Sequence, residues 1–160
     1  MSDNTNFSWV ETHKGIVEYL KDKENQQLEL IQLQESLEIN IGDDEDAPKH
    51  KTKLSAIDPF TFFFYIYKHK GAGRLLIIQN LAKKLNLPYP EGDAGLPSTD
   101  ARNVRLFAYQ YDRKGDEIKK LWVFFYNAIE GTITDEQFEE VLNIKCVGKT
   151  KLTQGMFYID

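Results

Sequence analysis

A chain of 160 residues, 41% hydrophobic and 28% charged, carries enough apolar sequence to build one packed domain, and it holds no unbroken run of the ~18 apolar residues that a membrane span requires. Its net charge of −5 excludes a surface that is basic throughout, and the polar stretch before Phe7 lacks the basic start and apolar run of a secretory signal, which makes the cytoplasm the expected compartment. The single cysteine, Cys146, excludes an internal disulfide and a multi-cysteine zinc site and reads as a small buried hydrophobe.

Ser8 followed by Glu11 has the spacing of a capping box, in which each side chain satisfies an orphan N–H of the first helical turn. Apolar residues then recur at Trp9, Ile16, Val17, Leu20, Leu28, Ile31 and Leu37, close to a 3.6-residue period, which predicts a long N-terminal helix over 8–38. Gly15 weakens that helix, and Asn25 to Gln27 leave a polar gap where it breaks or passes over a groove. Residues 42–53 run from acidic through Pro48 to basic with almost nothing apolar, predicting a solvated, flexible loop within 40–56.

Asp58 and Pro59 signal the next helix, with aspartate at the N-cap and proline in the first turn, where its missing N–H is harmless. Six of the eight residues from Phe60 to Tyr67 are aromatic, so a helix here is apolar on all sides and central to the core; propensity alone also allows a strand, and the cap favours helix. Leu75, Ile78, Leu81, Ala82 and Leu85 line one face of a helix that starts after Gly71 and Gly73 and stops before Pro88. Pro88, Pro90, Gly92, Gly95 and Pro97 then make an irregular loop. Thr99 or Asp100 caps a short helix from Arg102 to Phe107, or else Leu106 to Tyr111 forms a strand. Ile118, Leu121, Trp122, Phe125, Ala128 and Ile129 predict an amphipathic helix ending at Gly131, and Thr134 with Gln137 opens a last one carrying Phe138, Val141 and Leu142.

Charge is divided unevenly along the chain. Residues 1–48 carry 3 basic and 12 acidic side chains, 49–114 carry 12 and 5, and 115–160 carry 5 and 8. The basic middle segment either faces phosphates, where lysine and arginine gain affinity by releasing condensed counterions, or pairs with the acidic N-terminal segment.

Catalytic patterns are missing. Gly148-Lys149-Thr150 resembles the end of a phosphate-binding loop, but the glycine required five positions before Gly148 is Asn143. His13, His50 and His69 lie at no metal-ligand spacing, and the run Asp43 to Asp46 reads as solvated surface rather than a carboxylate pair across a cleft. No cofactor and no enzymatic activity are expected.

The stretch Ile57-Asp58-Pro59-Phe60-Thr61-Phe62-Phe63 resembles the opening of a block in the N-terminal regions of bacterial McrB-type restriction proteins. The order of later features is similar: Arg74 at a helix start, Gly95-Leu96-Pro97 in a loop, Leu121-Trp122 in a charged helix, and a closing Leu152-Thr153-Gln154-Gly155-Met156-Phe157-Tyr158. Phe7-Ser8-Trp9 resembles that family's tryptophan-bearing first helix, whereas Lys68-His69-Lys70-Gly71 stands where Asn-Arg-Gly is frequent and Arg105-Leu106-Phe107 where Trp-Phe-Phe is frequent. The resemblance implies a module that precedes an AAA+ GTPase domain, so the chain is expected to be a fragment or a stand-alone relative. It also implies a role in recognising DNA, modified or of specific sequence, with the GTPase domain and a nuclease subunit as partners.

The expected fold is one mainly α domain, with room for a small minor sheet, made of the helix 8–38, the loop 40–56 and a helical core over 57–160. In the DNA-recognition reading Lys68, Lys70, Arg74, Arg102 and Arg105 contact phosphates or base edges, Asn103 reads a base, and Tyr109 or Tyr111 offers a stacking surface. The alternative is a protein-interaction or oligomerisation module of the same kind of complex, using the acidic first helix and making no DNA contact.

Overall fold

The centre of the molecule is a helix with no polar face. In the computed structural model, which describes residues 9–69, 71–92, 105–144, 146–147, 152 and 156, helix α3 spans Pro59–Tyr67 and every one of its nine residues is buried. Asp58 caps it as the sequence predicts, its carboxylate accepting from Thr61 N at 3.0 Å and from the Thr61 hydroxyl, which settles the segment as helix. At roughly 1.5–3 kcal/mol for each large side chain removed from water, its aromatic rings form the largest local driving force.

The other elements wrap this helix. Among the described residues they are α1 (Trp9–Leu20), a 3₁₀ turn (Glu24–Gln26), α2 (Gln27–Ser36), β1 (Asp44–Ala47), β2 (His50–Thr52), α4 (Gly71–Leu85), a second 3₁₀ turn (Gln110–Asp112), α5 (Glu117–Glu130) and α6 (Asp135–Leu142). The fold is mainly helical with one two-stranded antiparallel sheet, and no described helix is long and apolar enough to cross a membrane. From α1, the His13 ring lies 4.8 Å from Phe63, and its Nδ1 shares a hydrogen bond with the Tyr67 hydroxyl. From α2, Gln34 Nε2 donates to Phe62 O at 2.8 Å. From α5, Phe124 and Phe125 lie 5.9 and 6.2 Å from Phe60, and Trp122 Nε1 donates to Ile57 O at 3.0 Å.

The predicted helix 8–38 is two helices. The chain turns at Lys21–Lys23 and passes through the 3₁₀ turn because Gln27, in the polar gap, gives its side chain to other backbone: its Oε1 accepts from Ile57 N and its Nε2 donates to Glu24 O. The break rotates the apolar stripe, so Leu30 and Ile31 are buried while Leu28, expected in the stripe, is 47% exposed. Gly15 is a packing position: a Cβ there would meet Leu87 Cδ2 at 2.6 Å, and Thr12 Oγ1 donates to Pro88 O beside it, seating α1 on the end of α4.

Both later caps form as the sequence indicates. Gly131 adopts φ 70° and closes α5, and Thr134 with Gln137 makes both halves of a capping box on α6. Helix α4 begins at Gly71 rather than after Gly73, and ends where Asn86 turns left-handed and Leu87 N bonds Ala82 O. Neither alternative for the 101–111 region holds over the described part: Leu106–Tyr109 is irregular, and Leu106 N is taken by Thr61 Oγ1 at 3.1 Å rather than by a helix or strand partner. Cys146, expected to be buried, is exposed at φ 81°, because the chain turns there between buried Ile144 and Val147. The start of the first capping box at Ser8 lies outside the described residues.

Burial pushes the Asp58 carboxyl up to about 6, against the hydrogen bonds from Thr61 and Phe60 that lower it. A pKa raised above the unfolded value means that the native state holds this proton more tightly, so the stability it contributes is full below ~4 and is lost as pH rises through about 6. Asp58→Asn keeps a capping oxygen and removes the ionisation. Urea denaturation from about pH 4 to pH 7 should therefore show the wild-type protein losing stability relative to Asp58→Asn across this window, and a constant difference between the two would refute the shift.

Candidate nucleic-acid interface

One end of α3 carries a cluster of cations and rings. Tyr65 and Lys68 lie one helical turn apart, and Tyr65, buried to 3% exposure, donates its hydroxyl to Ile41 O at 2.6 Å. Arg105 reaches the same point, with Nε donating to the Tyr65 hydroxyl at 2.7 Å and Nη2 to Ile41 O at 2.8 Å. Lys68 Nζ sits 4.9 Å over the Tyr65 ring and donates to Asn40 O at 2.6 Å. Gly42 makes room for this arrangement: its φ of 71° suits glycine, and a Cβ would lie 3.3 Å from Arg105 Nη2.

The two cations are close enough to affect each other. Burial first, and the Arg105 guanidinium second, hold Lys68 below the ordinary lysine range. Burial raises the Tyr65 hydroxyl, with Arg105 opposing that rise.

A ladder of rings extends from Arg105. Its guanidinium lies 6.0 Å from the Tyr109 ring and 5.8 Å from the Phe107 ring, and Tyr109 stacks on Tyr111 at 6.0 Å and 26°. Tyr109 and Tyr111 are 39% and 42% exposed, which is unusual for two neighbouring rings in a domain that buries most of its aromatics. On the other side of Phe107, the Arg113 guanidinium lies 5.5 Å from the ring and donates to Ala108 O at 3.0 Å.

Arg113 also fixes the hairpin. Asp44, 3% exposed, receives Arg113 Nη2 at 3.1 Å on Oδ2, and on Oδ1 it accepts from Gln110 N at 3.0 Å and Glu45 N at 2.9 Å. The expectation of a solvated, flexible loop over 40–56 is thus corrected: residues 44–52 form a bulged antiparallel hairpin, bolted to the 3₁₀ turn Gln110–Asp112 by a buried ion pair. The acidic run 43–46 is correspondingly divided, with Asp44 buried rather than solvated.

Of the residues named from the sequence, Lys68, Arg105, Tyr109 and Tyr111 come together here. Arg74 is buried within α4, 8% exposed, and is not among these solvent-facing groups. Lys70, Arg102 and Asn103 lie outside the described residues. Sequence reasoning missed Tyr65, Phe107, Asp44 and Arg113. Tyr65 could have been found from its spacing to Lys68 on the aromatic helix, while nothing local marks Asp44 as the buried member of four consecutive acids. Among the described residues no three His, Cys, Asp or Glu side chains gather to hold a metal ion.

A family model described as "Domain of unknown function (DUF8425)" matches residues 9–160. No curated protein and no solved structure matches the chain.

Removing one member of a buried ion pair leaves the other charge buried without its partner, at about 3–5 kcal/mol. Arg113→Ala should therefore lower the unfolding free energy in urea by roughly 3 kcal/mol, whereas Lys114→Ala, an exposed neighbour, should change it by no more than about 0.5. Equal small effects for both would show that the Asp44 contact does not hold the hairpin.

Proposed function

We propose that the chain, which belongs to the DUF8425 family, is a DNA-recognition module of a bacterial restriction or defence complex, and that it works without catalysis of its own. The observation that carries this reading is the joining of Lys68 and Arg105, two mutually repelling cations, to an exposed, stacked tyrosine pair on one continuous surface. Phosphate oxygens relieve the repulsion between the cations, and the tyrosine faces take sugar or base by stacking, a contact worth about 1–3 kcal/mol per base. The resemblance of residues 57–63 and the later segments to McrB-type N-terminal modules supports the same role and suggests an AAA+ GTPase domain and a nuclease subunit as partners.

One observation favours the alternative of a protein-interaction module. Burial, then Glu29 and then Asp22, raise the Tyr19 hydroxyl, and burial, then Glu24 and then Asp22, raise that of Tyr126. Lys23 offsets part of this charge, lying 4.0 Å from Asp22 and 3.9 Å from Glu29, and the acids left in excess at the junction of α1 and α2 suit a basic partner.

Affinity of the chain for short duplexes, unmodified and cytosine-methylated, at two salt concentrations separates the readings. DNA recognition requires salt-sensitive binding with a preference among the duplexes, weakened at least about tenfold and made less salt-dependent by Arg105→Ala with Lys68→Ala. Absence of binding at low salt to any duplex removes the DNA reading and leaves the acidic surface as the interaction site.

A further inference from the structure

The hairpin poses a physical question. A two-stranded hairpin is marginal by itself, and this one has almost no apolar side chain to bury: from Glu45 to Thr52 no residue is buried. Its docking rests instead on the Asp44 carboxylate, held by Arg113 and Gln110 N. A buried ion pair contributes little net stability compared with apolar packing, but it fixes position. The hairpin is therefore held in one place while its outer strand stays in water.

Its charges are sorted by strand. The acids of β1 are engaged internally: Asp44 by Arg113, Glu45 Oε1 by Lys49 N at 2.9 Å, and Asp46 by the His50 ring. The basic residues lie at the turn and on β2, the strand away from the 3₁₀ turn. Lys49 and Lys51 are exposed, and among the described residues neither ammonium has a carboxylate within ion-pair distance, whereas Lys53 pairs with Glu35 at 3.7 Å. Lys49 takes a φ of 66° in the turn after Pro48, which holds the exposed tip in a defined bend.

The hairpin is also tied to the segment that carries Arg105 and the two tyrosines. Contacts run without a gap from Lys68 and Arg105 to Tyr109 and Tyr111, through Gln110 N to Asp44, and across the β1–β2 ladder to Lys51. We propose that the β1–β2 hairpin is a second arm of the binding surface, with Lys49 and Lys51 contacting the phosphodiester backbone of the same nucleic acid that engages Arg105 and the tyrosine pair. This rests on the DNA-recognition reading and extends it by at least two phosphate contacts in a segment whose sequence suggested only a flexible loop. The arm adds affinity and orientation and reads no base, because lysine meets phosphate as a point charge.

The test uses the full chain and a DNA duplex of about 20 base pairs, titrated at several salt concentrations. Lys49→Gln with Lys51→Gln should weaken binding at least about tenfold near 0.1 M salt and lower the log–log salt slope by up to about 1.8, at 0.9 per lost phosphate contact. Lys84→Gln with Lys119→Gln, exposed lysines on α4 and α5, removes the same net charge and should leave the slope nearly unchanged. If the two double variants behave alike, or if the hairpin variant binds as the wild type while Arg105→Ala does not, the second arm is overturned and the primary surface stands. If the wild-type chain binds no duplex at low salt, the recognition reading and the arm fall together. Asp44→Asn provides an independent check, since unlatching the hairpin should lower affinity for DNA beyond any effect of the alanine variant at the exposed Lys114.

Discussion

Helix α3 has no side that water can cover, and that constraint organises the molecule. A helix apolar all round must be enclosed by other elements, so each neighbour has to bring both apolar contact and a partner for whatever polar group lies nearby. The contacts are divided accordingly: His13 meets Tyr67, Gln34 meets the Phe62 carbonyl, Trp122 meets the Ile57 carbonyl, and Leu106 N meets the Thr61 hydroxyl. Thr61 shows the economy of the arrangement, since its hydroxyl donates to Asp58 and accepts from Leu106, joining the cap of the helix to the segment that carries Arg105. The candidate interface is thus seated on the most buried element of the fold.

That seating explains why Lys68 and Arg105 can be held together at all. Two exposed, flexible cations would separate; these are tied to consecutive carbonyls, Asn40 and Ile41, and share the ring and hydroxyl of one buried tyrosine. Tyr65 is in turn immobilised by its place in α3 and by its bond to Ile41 O. Local electrostatic conflict maintained by rigid surroundings is the pattern expected where function rather than stability selects the residue types.

Much of this was legible from short-range signals. The cap at Asp58, the capping box at Thr134 and the closing glycine at 131 each depend on two or three neighbouring residues, and each forms as its chemistry dictates. The long-range features were not legible. Gln27 breaks the first helix because Ile57 N, thirty residues away, needs an acceptor, and Asp44 is buried because Arg113 and Gln110 N, more than sixty residues away, converge on it. Period and propensity see only one side of such pairs: a glutamine in a polar gap looks like solvent exposure, and four consecutive acids look alike. At the interface the residue types were readable, and Lys68, Arg105, Tyr109 and Tyr111 could be named, whereas the elements that bring them together, Tyr65 and the irregular segment after Arg105, depend on tertiary pairing.

Phe107 makes the division of labour between the two arginines clear. Both guanidiniums lie within 6 Å of its ring, yet their surroundings differ in kind. Arg113 faces a buried carboxylate, so its charge is neutralised and its role is to position the hairpin. Arg105 donates to the Tyr65 hydroxyl and the Ile41 carbonyl, dipoles that orient a guanidinium, and it stands beside a lysine whose charged form its field disfavours. Exchanging the two environments would leave the local charge count the same, yet the hairpin would lose its anchor and Lys68 and Tyr65 the guanidinium that stands beside them. The arrangement of partners, more than the number of basic residues, therefore decides what each guanidinium does: Arg113 positions the hairpin, and Arg105 joins Tyr65 and Lys68 to the tyrosine pair.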